Sequence, residues 1–387
     1  MSTNKSLRKW KTPQPGNAGV NLIGPVEFLN GLGTSSRGYV ASLKCSHIPL
    51  NVIPWRSGFE HVKSMPVEYP ARVLQPINLI HLNLDILAGQ QLLDEPPLNK
   101  ISTADRYNIC IPYWELTALK PEWLEVINRF DEIWCATSFM ARAISAVTVR
   151  PVHVIRPALS WYQPTSQRTR KNFGLPEDKY MYFFAADAGS VMGRKNPRLF
   201  VDAYAQTFNP DEGACCLVKI NQAKSEHPDM NYIQSIAQQR QDIIVMIESL
   251  DDADMSALYN QIDCYVSPHR SEGLGLTILE AMSAGKPVIA TPFGGAADFV
   301  RPESAFPLDY RLVEVGVGNP PYPPNYIWAD PTSASLRHKM KYLFQHQDEA
   351  REMGQRGKAY VEELFSLERT AGDIQDAIDR IWHAGQQ

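Results

Sequence analysis

Two glutamates, Glu272 and Glu280, stand with seven residues between them in His269-Arg-Ser-Glu-Gly-Leu-Gly-Leu-Thr-Ile-Leu-Glu280. The segment follows a strand-like run, Cys264–Ser267, and opens a helix-like one, Leu276–Ala284. A carboxylate before a helix and another within it can meet one ligand at two places. Gly273 and Gly275 let the backbone approach that ligand closely. The helix start offers unpaired N–H groups and a positive dipole end, which suit a diphosphate. Taken alone, the motif fits equally well with a carboxylate that merely stabilises a helix N-terminus.

The elements that must position these groups are legible as alternation. Strand-like runs at Val20–Ile23, Ile77–Leu82, Tyr107–Pro112, Glu132–Ala136 and Val152–Ile155 are interleaved with amphipathic stretches. The latter include Pro121–Arg129 and Ser138–Ala146, with Ser138 as an N-cap. A second series starts at Tyr180–Ala186 and continues through Cys216–Ile220, Ile243–Ile247, Cys264–Ser267 and Pro287–Ala290. Its helices are Pro197–Thr207, Asn231–Gln239, Met255–Gln261 and Leu276–Ala284, and polar helices follow at Ser333–His346, Glu349–Glu363 and Leu367–Ala384. Alternation of this kind predicts an α/β protein with two doubly wound parallel sheets. Such sheets bind ligands beyond the carboxyl ends of their strands, so two facing halves would enclose a cleft. The expected division is a basic tail at 1–16, a Rossmann-like half at 17–160, a second at 173–365 and a final helix at 366–387.

At roughly 100–200 residues per domain, 387 residues suit two or three domains. The balance of 44% hydrophobic and 21% charged residues is that of a globular protein. A net charge of -4 gives no drive toward nucleic acid. No apolar run approaches the ~18–20 residues that span a bilayer, and the N-terminus lacks a signal-peptide core. Six cysteines without a C-x-x-C pair read as reduced core thiols of a cytosolic protein. The tail carries Lys5, Arg8, Lys9 and Lys11 around Trp10. It reads as a solvated start, with a foot on an anionic membrane surface as the alternative.

The Glu272–Glu280 spacing, followed by Ala-Met-Ser-Ala-Gly-Lys-Pro-Val-Ile-Ala-Thr, resembles the E-x7-E signature of retaining GT-B glycosyltransferases of family 4. Gly19–Gly24 with Gly31-Leu-Gly-Thr-Ser-Ser-Arg37 resembles that family's first strand and glycine loop. Arg106–Ile109, Tyr113-Trp-Glu-Leu116, Phe130–Trp134 and Arg194-Lys-Asn-Pro197 resemble a bacterial subgroup associated with cell-surface polysaccharide and glycolipid assembly. The likeness runs in order over about residues 19–365.

The resemblance implies roles. Glu272 touches the donor sugar near the reacting carbon, and Glu280 holds the nucleotide ribose. Arg194 and Lys195 grip the diphosphate, although an isolated Arg-Lys pair also suits a solvated helix start. Lys219, at a strand end, is a further donor-side cation. Gly31 and Gly33 face the phosphates across the cleft, with Arg37 a turn into the next helix and pointing outward. Gly273, Leu274, Gly275 and Leu276 complete the donor loop, and Gly294 and Gly295 help hold the sugar. His269 lies beside the donor or packs behind it. On the acceptor side the candidates are His81, Asp85, Trp114 and Glu115. Tryptophans such as Trp114, Trp123 and Trp134 also suit the core.

Two features depart from the family's pattern. Asp187-Ala-Gly-Ser190 stands where many members carry another basic residue, and Gly295-Ala296 replaces the subgroup's Gly-Asn. The second puts transfer of sugar specificity in doubt. The implied activity is transfer of a hexose from a nucleoside-diphosphate sugar, GDP-mannose being favoured, with retention and without a required metal or other cofactor. The implied acceptor is a saccharide or lipid-linked saccharide, met in the cytoplasm or at the inner membrane face, and no nucleic acid is involved. The competing expectations are a catalytically silent nucleotide-sugar-binding module and a GT-B epimerase or phosphorylase.

Overall fold

The computed structural model describes residues 19–28, 30–55, 74–89, 105–159, 167–221 and 227–384. The basic tail and residues 160–166, which fall at the expected junction of the two halves, lie outside the described residues. The first half runs β1 (Val20–Gly24), α1 (Gly31–Cys45), β2 (Leu50–Pro54), β3 (Ile77–Ile80), α2 (Leu84–Gly89) and β4 (Tyr107–Cys110). It continues with α3 (Leu124–Ile127), β5 (Glu132–Cys135), α4 (Ser138–Ser145) and β6 (Val152–Val154). Its strands form one parallel sheet in the order β2-β1-β3-β4-β5-β6.

The second half runs β7 (Tyr180–Asp187), α5 (Met192–Lys195), α6 (Pro197–Thr207), β8 (Ala214–Asn221), α7 (Pro228–Gln239) and β9 (Ile243–Met246). Then come α8 (Asp252–Gln261), β10 (Cys264–Ser267), α9 (Leu276–Ser283), β11 (Val288–Ala290) and β12 (Phe306–Pro307). This sheet is also parallel, in the order β12-β11-β10-β7-β8-β9. An antiparallel pair, β13 (Tyr310–Glu314) and β14 (Ile327–Pro331), precedes α10 (Ser333–Gln345), α11 (Gln347–Leu364) and α12 (Leu367–Ala384).

Central strands of such sheets are covered on both faces, so they read as unbroken apolar runs. Tyr180–Ala186 of β7 is buried throughout. Register in the first sheet is fixed by a row of amides on neighbouring strands. Asn51 donates to Asn21 at 3.0 Å, Asn21 to Asn78 at 2.8 Å and Asn78 to Asn108 at 2.9 Å. A slip of one residue would leave these buried groups unpaired.

Helix α12 returns to the first half. Ile374, Ala377, Ile378 and Ile381 share a core with Val20, Leu22 and Tyr39. Arg380 donates twice to the fully buried Glu132, at 3.0 and 2.8 Å.

The strand order reverses between β1 and β3 in one sheet and between β7 and β10 in the other. At such switch points the following loops leave in opposite directions and open a crevice. The crevices sit at the carboxyl ends of the strands, where the loops of one half meet those of the other.

Three expectations need correction. Thr137, not Ser138, caps α4, because its side chain accepts from the Met140 N–H. Pro121–Arg129 yields a 3-10 turn and the single turn of α3 in place of one helix. Arg37 does not point outward: it is 8% exposed and donates to the carbonyls of Val26 and Phe28, at 3.2 and 2.7 Å. The Gly/Pro-rich stretch 316–324 is the loop that joins β13 to β14.

Candidate active site

The second sheet's switch point is lined by the loops after β7 and β10. The first delivers Arg194 and Lys195. Asn196 adopts φ 58°, which asparagine tolerates better than most residues. It ends α5, and Pro197 starts α6 at the position where a missing N–H does no harm. The Asn196 amide bonds Pro268 O at 3.1 Å. Arg194 and Lys195 are thereby turned toward the loop that carries Glu272.

Glu272 is 7% exposed. One carboxylate oxygen lies 2.5 Å from Lys195 Nζ and the other 3.0 Å from Arg194. Burial alone would raise the Glu272 pKa. The charges of Lys195 and Arg194 overcome it and hold the group at about 2. The carboxylate is therefore ionised at any working pH. Arg194 also donates to Ser271 O and to Ser190 Oγ, each at 2.7 Å. Its two terminal nitrogens therefore brace the loop, and Lys195 is the more accessible cation at 15% exposure against 6%.

Behind this loop, α9 starts at Gly275, which adopts φ +91° and supplies no capping side chain. A residue with a Cβ would be strained there. The first N–H groups of α9 are consequently not satisfied by a cap. Leu274 is buried in the core, and Leu276 lies 3.3 Å from the position of a Cβ built on Gly31. Gly31 thus packs against the start of α9 from the other half.

Gly33 does not face phosphates with its N–H, because Asn30 Oδ1 accepts it at 3.0 Å. Gly294 and Gly295 lie against Glu272 and Gly273, and Gly295 N donates to Glu272 O at 2.6 Å.

Glu280 and Lys219 form a second polar group. Tyr259 donates to Glu280 at 2.7 Å. Lys219 is 1% exposed, and its Nζ bonds Asn221 Oδ1 and, at 3.0 Å, Glu248 O. Burial lowers the Lys219 pKa to about 8. Burial also raises that of Glu280 to about 7, with Asp252 adding to the rise and Tyr259 and Lys219 opposing it.

A carboxyl whose folded pKa is raised contributes stability below its unfolded value of 4.5 and loses it as pH passes through about 7. Glu280→Gln should therefore raise the melting temperature at about pH 8 and change it little at about pH 5. An equal change at both values would show that Glu280 does not titrate in this window.

The first half contributes from β3, β4 and β5. His81 is fully buried, with Nδ1 2.5 Å from Ser36 Oγ and Nε2 3.4 Å from Ser35 Oγ. Ser35 Oγ lies 2.7 Å from the Tyr113 hydroxyl, and the Tyr113 ring abuts Gly273. Burial lowers the His81 pKa to about 3, so the imidazole is neutral. Glu115 is half-buried, and its charge acts on both Arg194 and Lys195. Its carbonyl accepts from Ser271 Oγ across the cleft. Thr137 Oγ1 donates to Gly273 O at 3.3 Å. Asp298 accepts from Ser138 N at 2.8 Å and pairs with Arg156 at 2.9 Å.

Three further candidates are placed as follows. His269 is fully buried, with Nδ1 3.0 Å from Ser267 Oγ and Nε2 3.2 Å from Phe293 O. It packs behind the loop. Trp114 is 4% exposed, bonds Ala118 O and packs on Trp123 and Tyr322, so it is core and not a stacking platform. Asp85 is exposed in the first turn of α2. Sequence reasoning missed Ser35, Ser36, Ser271 and Tyr322, whose types carry no signal without the contacts that bring them together. Among the described residues no group of three His, Cys, Asp or Glu side chains converges as a metal site, and no helix is long and apolar enough to cross a membrane.

Two parallel α/β sheets with a cleft between their carboxyl ends define a GT-B fold. The family model described as Glycosyl transferases group 1 matches residues 165–360, just over half of the 387 residues, and the chain belongs to that family. Over nearly its full length the fold is similar to sucrose-phosphate synthase from Thermosynechococcus elongatus, with a TM-score of 0.67 at 16% identity, covering 94% of this chain and 99% of that one. It is also similar to Anabaena HepE solved with UDP and glucose, with a TM-score of 0.65 at 13% identity, covering 94% and 100%.

Among curated relatives, the lipopolysaccharide core biosynthesis mannosyltransferase LpsB of Rhizobium meliloti is 30% identical over 185 residues, 45% of this chain and 49% of the relative. The D-rhamnosyltransferase WbpZ of Pseudomonas aeruginosa is 30% identical over 119 residues, 30% and 26%. The chain spans about half or less of the length of these relatives.

Proposed function

We propose that this chain is a retaining glycosyltransferase. It moves a hexose from a nucleoside-diphosphate sugar to a saccharide or lipid-linked saccharide in cell-surface polysaccharide assembly. The observation that carries the proposal is the convergence of Lys195, Arg194 and Glu272 with the uncapped start of α9 at the second sheet's switch point. Lys195 and the α9 amides take up the charge that grows on the leaving diphosphate. Glu272 faces the sugar, and Glu280 accepts from the ribose hydroxyls. The anomeric C–O bond breaks, and its electron pair leaves with the diphosphate. The acceptor oxygen bonds the anomeric carbon from the same face, and its proton passes to the departing phosphate.

Names among the relatives support the sugar class: a mannosyltransferase of lipopolysaccharide core, a D-rhamnosyltransferase and an O-antigen glycosyltransferase. HepE, solved with UDP-glucose, supports a nucleotide donor. We favour GDP-mannose as the donor, and the cytoplasm, at the inner membrane face, as the place of reaction.

The test is the melting shift with GDP, UDP, dTDP, ADP and CMP. A ligand at a hundredfold excess over its dissociation constant stabilises the fold by about 2.7 kcal/mol. GDP should give the largest shift, of several degrees. A larger shift with UDP would move the donor to a uridine sugar, and no shift with any nucleotide would count against a nucleotide-sugar donor. Product NMR of the new glycosidic bond then separates retention from inversion.

A further inference from the structure

The 3-10 turn Gly294–Asp298 lies directly behind the donor loop. Gly295 N donates to Glu272 O at 2.6 Å, and Ala296 and Phe299 stand 3.7 and 3.4 Å from a Cβ position built on Gly275. Asp298, the last residue of that turn, is 8% exposed. Its carbonyl accepts from the Tyr360 hydroxyl at 3.3 Å, within its own half. Its carboxylate is engaged by the other half. Oδ2 accepts from Ser138 N at 2.8 Å and from the Arg156 guanidinium at 2.9 Å. Ser138 is the first residue of α4, so the charge meets the positive end of that helix. Arg156 follows β6 and lies over the Phe365 ring. Residues on either side of Ser138 join the contact. Thr137, the cap of α4, donates to Gly273 O at 3.3 Å, and the Phe139 ring packs on Phe293 with centroids 5.5 Å apart.

We propose that Asp298 is a positioning residue for sugar transfer. By holding the first N–H of α4 and the Arg156 guanidinium, it fixes the first half of the protein against the loop that carries Glu272. This rests on the glycosyltransferase reading above. The groups assigned to the donor, Lys195, Arg194, Glu272, Glu280 and the start of α9, all belong to the second half. Donor binding therefore does not need Asp298. Transfer does, because the acceptor oxygen has to reach the anomeric carbon in the cleft, and the width of the cleft depends on how the halves are held. A backbone N–H and a guanidinium reach one carboxylate oxygen from two separate elements, α4 and the end of β6, so Asp298 sets direction as well as distance. The same turn holds Gly295 on Glu272 O, so a shift of α4 is passed to the backbone of the reacting loop.

Ser138→Pro breaks the contact from the side of the first half. Proline is tolerated at the first position of a helix, where its missing N–H has no partner within the helix. Thr137 has φ -141° and ψ 154°, the extended conformation that a residue before proline adopts. The ring removes the N–H that Asp298 accepts and puts a carbon in its place. With the full-length enzyme, kcat should fall roughly tenfold or more. The donor KM and the nucleotide-induced melting shift should stay within about twofold of wild type. Asp298→Ala should give the same split, and the double variant should be no worse than the poorer single one. A wild-type kcat in Ser138→Pro, or a donor KM that moves as far as kcat does, overturns the proposal.

Amide hydrogen exchange reads the same contact without turnover. Asp298→Ala should speed exchange at the Ser138 amide by roughly tenfold or more. The Met140 amide, which Thr137 of the same half holds, should be unchanged. A wild type that transfers no sugar but shows this exchange pattern sinks the functional reading. Normal transfer with a Ser138 amide indifferent to Asp298 sinks the proposal alone.

Discussion

Glu272→Gln is expected to lower turnover by ~100-fold or more, equivalent to about 2.7 kcal/mol of transition-state stabilisation. Glutamine keeps the shape and loses the charge. In the free protein that charge neutralises Lys195 and Arg194 at 2.5 and 3.0 Å. Removing one partner of a buried pair leaves uncompensated charge and costs about 3–5 kcal/mol. The melting temperature should therefore fall together with the rate.

Nucleotide binding should behave differently. The diphosphate competes with Glu272 for Lys195, so the variant's nucleotide-induced melting shift should be as large as the wild type's or larger. Because the carboxyl is held at about 2, the rate loss should be flat across neutral pH. Turnover within about threefold of wild type would reduce Glu272 to a structural counter-ion.

Gly295→Ala should be nearly as damaging without changing any charge. A Cβ on Gly295 would lie 2.0 Å from Gly273 O and 2.9 Å from Thr137 Cγ2. Neither neighbour is the loose end of a flexible side chain, so the backbone must move. The movement breaks the 2.6 Å bond from Gly295 N to Glu272 O and displaces Glu272 from Lys195. A displacement of about 1 Å in a reacting constellation can lose 100-fold in rate, and overpacking adds about 1–3 kcal/mol of destabilisation.

Gly372→Ala in α12 is the control. Nothing lies within 4 Å of its Cβ position, and alanine favours the helix interior by roughly 0.5–1 kcal/mol. That variant should be slightly more stable and fully active. If Gly295→Ala matched it in steady-state kinetics and melting, the close packing of the two loops would not matter for catalysis.

Much of the frame was legible because local periodicity carries it. Pro197–Thr207, Cys264–Ser267 and Leu367–Ala384 were readable to the residue, being an apolar stripe after a proline, a short unbroken apolar run and a strong amphipathic repeat. β2 went unread because Leu-Asn-Val-Ile-Pro is short and its asparagine pairs with Asn21 on the neighbouring strand. The arm β13–β14 went unread because the residues of β13 are largely exposed and its loop is rich in glycine and proline.

For the site, the sequence by itself determined the local chemistry. A carboxylate precedes a glycine-started helix, another lies a turn inside it, and a cationic pair ends at Asn196-Pro197. These are short-range facts, and backbone geometry turns them into structure almost regardless of context. Only the tertiary structure decided which of these groups meet. It set Glu272 on Lys195, 77 residues away in sequence, and on Arg194. It turned Arg37 inward, buried His269 and Trp114 with their polar atoms engaged, and left Asp85 exposed. Burial, and the pKa shifts and hydrogen-bond demands that come with it, belong to the packed halves together, so no single stretch of chain contains them.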